Sequence, residues 1–269
     1  MRIVGVIQAR MGSVRLPGKV LYPLGGQPLL VHVIARAIRS RALDDVVVAT
    51  TKDRQDDPVA EWALESGAKV LRGDKADVLA RFVATARCFH ADAVVRLTAD
   101  CPLLDPHVVA RLIAEYRLGR STGELDYAAN ILDRTFPRGL DTELITTEAL
   151  EWLDDHATDS VEREHVTLGL YRRAGRFSVL SLRQNADFSC KRWTIDTRED
   201  YELMRRIVRE GCRAALELSQ GSVLRFLALN PEWERLNQAI TQEVVQEIPP
   251  RTAWRRFQLV EMDAPTLSA

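Results

Sequence analysis

Within the first hundred residues, short and mostly apolar runs (RIVGVI, DDVVVAT, AKVLRG, DAVVRLT) alternate with segments of helical character (PLLVHVIARAIRS, PVAEWALESG, DVLARFVATARCF). Apolar runs that do not alternate with polar residues are expected of strands buried on both faces. Strands separated by helix-length segments pair in parallel through crossovers. The chain is therefore expected to be α/β, with a mainly parallel central sheet, helices on both faces, and a smaller antiparallel substrate region. Helix starts are expected at Asp57-Pro58, Asp105-Pro106 and Asn230-Pro231, where a capping side chain precedes a proline.

Beyond about residue 120 the pattern loosens into a Gly/Ser-containing connection (RLGRSTGELD), a charged loop (DRTFPRGLDTE) and a helix-like run from about Val161 to Arg173. RFSVLSL and KRWTID read as strands leading to a helix near Arg198, with Thr197 and Asp200 as its T-x-x-D cap. Residues 1–220 form the expected main domain, and 221–269 a helical extension ending in a tail expected to be unstructured. Trp62, Phe82 and Trp152 read as core.

At 269 residues, 46% apolar and 28% charged, the chain can bury a substantial core. Its net charge of −1 supplies no global field for nucleic acid or an anionic membrane, so any attraction to phosphate must be local. The N-terminal apolar run is too brief for a signal segment or a membrane span, which makes a cytoplasmic protein the expectation. Cys88, Cys101, Cys190 and Cys212 show no C-x-x-C pair, so neither a disulfide framework nor a zinc site is indicated.

Between the first apolar run and the first helical segment lies QARMGSVRLPGK, residues 8–19, where two glycines accompany Arg10, Arg15 and Lys19. Backbone N–H groups and cations concentrated in such a turn suit oxyanions. It is not a Walker A loop: five residues separate Gly12 from Gly18, and Val20, not Ser or Thr, follows Lys19. Nor does G-x-G-x-x-G fit anywhere across Gly12 to Gly26.

In an open parallel sheet, ligands gather beyond the carboxyl ends of the strands. The opening loop, Asp100 after AVVRLT and Asp196 after KRWTI all fall there if the last strand runs parallel to the first. Singly, Asp100 reads equally well as a turn residue before Pro102, Asp196 as a helix cap, and each cation as a solvated surface charge. Jointly, cations and separated carboxylates are what a magnesium-bound triphosphate requires.

The segments VIQARMGSVRLPGKVL, RLTADCPLLDP, FPRGLDTELI, REHVT and RWTIDTREDYELM, in this order, closely resemble the spore-coat polysaccharide cytidylyltransferase family, itself similar to the 3-deoxy-manno-octulosonate and N-acylneuraminate cytidylyltransferases. The resemblance runs from residue 1 to roughly residue 240. It implies a nucleotide-diphospho-sugar transferase (Rossmann-like) fold, CTP over the parallel sheet, an acidic or modified sugar under the irregular second half, pyrophosphate release and a homodimer. Arg10 and Lys19 match the family's triphosphate-contacting cations, and Arg15 the additional Arg between them. Asp100 matches the metal-binding Asp after the fourth strand and Asp196 the second metal Asp of the octulosonate branch, so the resemblance implies that both hold Mg2+. Arg10, Lys19 and Asp100 are the expected catalytic set. Ala9, Met11, Gly12, Arg15 and Arg72 join them around the nucleotide, with Asp74 and Asp77 close to Arg72 in sequence. FPRGLDTE and REHVT depart from the octulosonate branch, which leaves the sugar open.

Arg138 and Asp141 are expected to contact the sugar, since a guanidinium forks onto a carboxylate and an Asp accepts from hydroxyls; a salt-bridged surface turn is the alternative. His165 is expected at the sugar and is one candidate to take a proton, with simple helix packing as the alternative reading; a metal-bound alkoxide would make it unnecessary. Glu164-His165 is not a zinc-protease motif, because the second helical His of H-E-x-x-H is missing. A glycosyltransferase consuming a nucleotide-sugar is weakened by Thr98-Ala99-Asp100, which lacks the first carboxylate of D-x-D. A non-catalytic nucleotide sensor would not need both candidate metal carboxylates together with all three cations.

Overall fold

The computed structural model describes residues 1–214, 217–241 and 247–265. Among the described residues, eight strands form one sheet and two more a small hairpin. In chain order, β1 (Ile3–Gln8) leads through a small hairpin, β2 (Pro23–Leu24) and β3 (Gln27–Pro28), into α1 (Leu29–Arg39). Then come β4 (Asp45–Thr51), α2 (Asp57–Glu65), β5 (Lys69–Gly73), α3 (Val78–Cys88), β6 (Ala93–Thr98) and α4 (Pro106–Ser121). These are the expected βαβ units, and β1 pairs in parallel with β4 and β6.

The second half adds β7 (Tyr127–Ala129), β8 (Glu143–Thr146), α5 (Thr147–His156), α6 (Ser160–His165), α7 (Leu168–Arg172), β9 (Ser178–Gln184) and α8 (Arg198–Arg213). After these come α9 (Gln220–Leu229), α10 (Pro231–Glu234) and β10 (Arg256–Met262). Strand β8 is antiparallel to both β6 and β7, whereas β7, β9 and β10 pair in parallel. The irregular half therefore extends the same sheet, whose strand order is β10-β9-β7-β8-β6-β1-β4-β5.

Both faces are buried, as the apolar strands require. Ile3 and Ile7 of β1 pack with Leu30 and Ile34 of α1 and Ile207 of α8, while Val4 and Val6 face Phe82 of α3 and Leu150 of α5. Phe82 is core as expected, but Trp62 and Trp152 are only half-buried. No helix among the described residues is long and apolar enough to cross a membrane.

Several expectations need correction. The tail from 256 is not unstructured: β10 pairs with β9 from Arg256↔Ser178 to Met262↔Gln184. The helix expected over Val161–Arg173 breaks at Val166, whose φ of 47° is strained for a β-branched residue and separates α6 from α7. Asp105 caps α4 through His107 N–H, but α2 is preceded by Asp56 without a side-chain cap, and Asn230 does not cap α10. Thr197 and Asp200 do form the full capping box on α8.

KRWTID is not a sheet strand. Arg192 makes one isolated bridge to Arg138; Arg138 N–H donates to Lys191 O (2.9 Å) and Trp193 N–H to Arg138 O (2.7 Å). This close approach requires Gly139, where φ is 105° and a Cβ would lie 2.6 Å from the Trp193 carbonyl carbon. Gly139→Ala is expected to cost about 2–4 kcal/mol, measurable by chemical denaturation. A loss below about 0.5 kcal/mol would show that the 191–194 segment can shift freely.

Candidate active site

Strand β1 is crossed over by α1 to β4 on one side, and β6 then joins its other side, so the switch point of the sheet lies where β1 and β6 end. The crevice expected at such a point is present, a pocket of about 380 Å³ lined by the opening loop, Thr98 to Asp100, Glu164, His165 and Asp196.

The loop is held at both ends. Ala9 N–H donates to Ala49 O (3.3 Å), and Met11 N–H to Oδ1 of the fully buried Asp56 (2.7 Å), whose Oδ2 accepts from Thr51. Met11 O accepts from Ser13 and Gly18 N–H, both at 2.9 Å, folding the loop back on itself. Gly18, at φ 73°, turns the chain into the short helical turn that begins at Lys19. The N–H groups of Gly12, Val14 and Arg15 find no acceptor among the described residues, which leaves them available to an oxyanion.

Lys19 is buried, and its Nζ donates to Asp100 Oδ2 (2.8 Å), Asp196 Oδ1 (2.7 Å) and Ile195 O (2.7 Å). Asp196 arrives without a sheet strand because Ile195 N–H donates to Asp100 O (2.9 Å), tying the two segments together. Arg15 Nη2 lies 3.2 Å from Asp196 Oδ2, and Arg10 Nη2 lies 3.2 Å from Glu164 Oε1. Burial opposes charge on Lys19, but Asp100 and Asp196 outweigh it and raise its pKa. Burial likewise opposes charge on Asp100, yet Lys19 holds it below the usual carboxylate range. His165 is shifted down, chiefly by burial, and is therefore neutral at pH 7.

The cluster sets Arg10, Arg15 and Lys19 against Glu164, Asp100 and Asp196, so its charges balance before any ligand arrives. An incoming triphosphate would bring an excess of negative charge that only further cations can offset. Two carboxylates and the Ile195 carbonyl around one point are hard oxygen donors, fitting Mg2+ or Mn2+ completed by phosphate oxygens and water. Among the described residues no group of three or more His, Cys, Asp or Glu could hold a metal.

Ala9, Arg10, Gly12, Arg15, Lys19, Asp100, His165 and Asp196 thus come together, and Met11 supports the loop from behind. Arg72 does not line the pocket: its Nε and Nη2 donate to Thr51 O (2.7 Å) and Asp53 O (2.9 Å), and Nη1 pairs with Asp57. Arg138 and Asp141 are also outside its lining, and both Asp141 oxygens accept from Arg134, at 2.6 and 2.9 Å.

Sequence reasoning missed Asp56, Arg81, Arg96 and the part played by Glu164. A smaller pocket of about 120 Å³, sharing Arg10, Glu164 and His165 with the first, is lined by Arg81 and Arg96. Arg81 is 3% exposed and its Nε has no hydrogen-bond partner among the described residues. Arg96 donates to Gln8 Oε1 (3.2 Å) and Glu143. The signal was available: a single arginine inside the buried strand AVVRLT and another inside the apolar helix segment DVLARFV are polar groups that need a partner.

A mainly parallel sheet whose switch point gathers a cationic loop and paired carboxylates is the arrangement of a nucleotidyltransferase. The chain belongs to the cytidylyltransferase family, whose model matches residues 4–225. It is 32% identical to an uncharacterised protein of Methanocaldococcus jannaschii over 92% of this chain and 99% of that one. It is 31% identical to the spore coat polysaccharide biosynthesis protein SpsF of Bacillus subtilis, covering 86% of this chain and 95% of the relative. Among solved structures, a cytidylyltransferase of Leptospira borgpetersenii superposes with a TM-score of 0.81 at 33% identity, over 91% of this chain and all of that one.

Proposed function

We propose that the protein is a CTP-dependent sugar cytidylyltransferase, joining CMP to an acidic or modified sugar and releasing pyrophosphate. The observation that carries this reading is the meeting of Arg10, Arg15 and Lys19 with Asp100 and Asp196 at the switch point. The free N–H groups of Gly12, Val14 and Arg15 bind phosphate oxygens, and the three cations turn from their carboxylates to the β- and γ-phosphates. Asp100 and Asp196 would hold Mg2+, which when bound would supply Lewis-acid polarisation of phosphate oxygens.

The acceptor lies in the adjoining smaller pocket, whose lining includes Arg81 and Arg96 and so suits an anionic sugar. A sugar hydroxyl attacks the α-phosphorus, the bond from that phosphorus to the β-bridging oxygen breaks, and pyrophosphate departs. His165, neutral at pH 7 and lining both pockets, takes the hydroxyl proton.

The test is incubation with Mg2+, each ribonucleoside triphosphate in turn and a panel of acidic and amino sugars, followed by mass spectrometry. Pyrophosphate and a CMP-sugar are expected with CTP and one sugar class. Free nucleoside diphosphate from a supplied nucleotide-sugar would identify a glycosyltransferase, and CTP-dependent thermal stabilisation without turnover on any sugar would point to a sensor.

A further inference from the structure

The C-terminal segment reaches the site through one side chain that no step above uses. Asn237 is 5% exposed, and its Nδ2 donates to Arg192 O (3.0 Å) and Asp200 Oδ1 (2.9 Å). Asp200 is fully buried and also accepts from Arg192 Nε (2.9 Å) and Nη2 (3.0 Å), and from the N–H groups of Asp196 (3.0 Å) and Thr197 (3.1 Å). Arg192 Nη2 in turn donates to Asp196 Oδ2 at 2.8 Å, leaving Oδ1 toward Lys19.

A capping box alone needs only the reciprocal Thr197 and Asp200 bonds, and such caps are ordinarily exposed. Here the capping carboxylate is dry, neutralised by Arg192 and locked by an amide from a distant part of the chain. A buried carboxylate and guanidinium keep one geometry only while their remaining bonds are made. We infer that Asn237 is a positioning residue: by fixing Asp200 and the Arg192 backbone, it sets the direction in which Asp196 presents its carboxylate.

This inference rests on the reading of Asp196 as a ligand of the Mg2+ that accompanies CTP. The test is calorimetric titration of the full chain with CTP, without acceptor, in Mg2+ and in EDTA. Wild type is expected to bind CTP more tightly in Mg2+. Asn237→Leu and the milder Asn237→Ser are expected to lose about tenfold of that Mg2+-dependent gain, the scale on which outer ligand supports act, while affinity in EDTA stays unchanged. Leu236→Ala, a packing change one residue away, is expected to lower Tm yet keep the full gain.

If both Asn237 variants keep the gain as Leu236→Ala does, the positioning role is overturned. If wild type shows no Mg2+-dependent gain, or Asp196→Asn retains it, the metal reading itself falls and takes the inference with it.

Discussion

Asp100→Asn is expected to lower kcat/KM for pyrophosphate release by roughly 10³-fold while leaving the fold in place. The substitution preserves shape, and Lys19 keeps Asp196 Oδ1 and Ile195 O as partners. The loss is one of charge at the point where the proposed function has phosphate and metal held together. An amide oxygen is a weaker ligand for a hard divalent cation, and with two carboxylates in the set there is no spare donor. A coupled pyrophosphate assay at saturating Mg2+ measures the effect, and the melting temperature controls for folding. A variant that keeps more than a tenth of wild-type turnover would remove Asp100 from the reacting centre and leave it as the turn residue that its position before Pro102 also allows.

How much of this was legible in the sequence depended on the range of the interaction. Strands β1, β4 and β6 announce themselves because burial on both faces makes them mostly apolar without alternation, and their order with α1, α2 and α3 is local. The convergence of the opening loop with Asp100 follows from that order alone. Asp196 came to the expected edge for a different reason than foreseen. No parallel strand carries it; the Ile195 N–H bond to Asp100 O and the glycine-tight contact at Gly139 do, and neither leaves a periodic trace.

Strand β10 shows the same limit. Its sequence, RFQLVEM, reads as a polar end because it lies at the edge of the sheet, and only its pairing with β9, more than seventy residues earlier in the chain, makes it a strand. Arg138 and Asp141 read as a binding pair by their charges, but nothing local says that Arg134 takes both Asp141 oxygens. Arg72 lies off the pocket for a similar reason: its partners include the carbonyls of Thr51 and Asp53, which any sequence could supply. Residues brought to the pocket by following a strand were readable; residues turned to other side-chain or backbone partners were not.

Lys19→Met tests the cluster from the opposite side and is expected to affect stability and turnover together. Without the ammonium, Asp100 and Asp196 face each other with their shared partner gone. Breaking a buried pair from one side costs several kcal/mol, and because both carboxylates retain some exposure a loss of about 3 kcal/mol is expected, or roughly 6–12 °C in Tm. Turnover falls by about 10²-fold or more, since a cation aimed at the leaving pyrophosphate is missing.

The direction of rescue distinguishes this account from simple damage to the core. Mg2+ added without nucleotide is expected to raise the Tm of Lys19→Met more than that of wild type, because the metal then occupies a paired carboxylate site from which the ammonium no longer excludes it. The pH dependence has a fixed sign as well. Lys19 is raised above its ordinary 10.5, so its contribution is complete below that pH and lost as pH climbs through the higher folded value. Asp100 is held below its ordinary 3.8, so its contribution is complete above that pH and lost as pH falls toward the lower folded value. The stability difference between wild type and Lys19→Met should therefore be flat from about pH 5 to 10 and shrink at both ends. A difference that instead changes as pH falls below about 6.5, the ordinary histidine value from which burial lowers His165, would assign the coupling to His165 and not to the carboxylate pair.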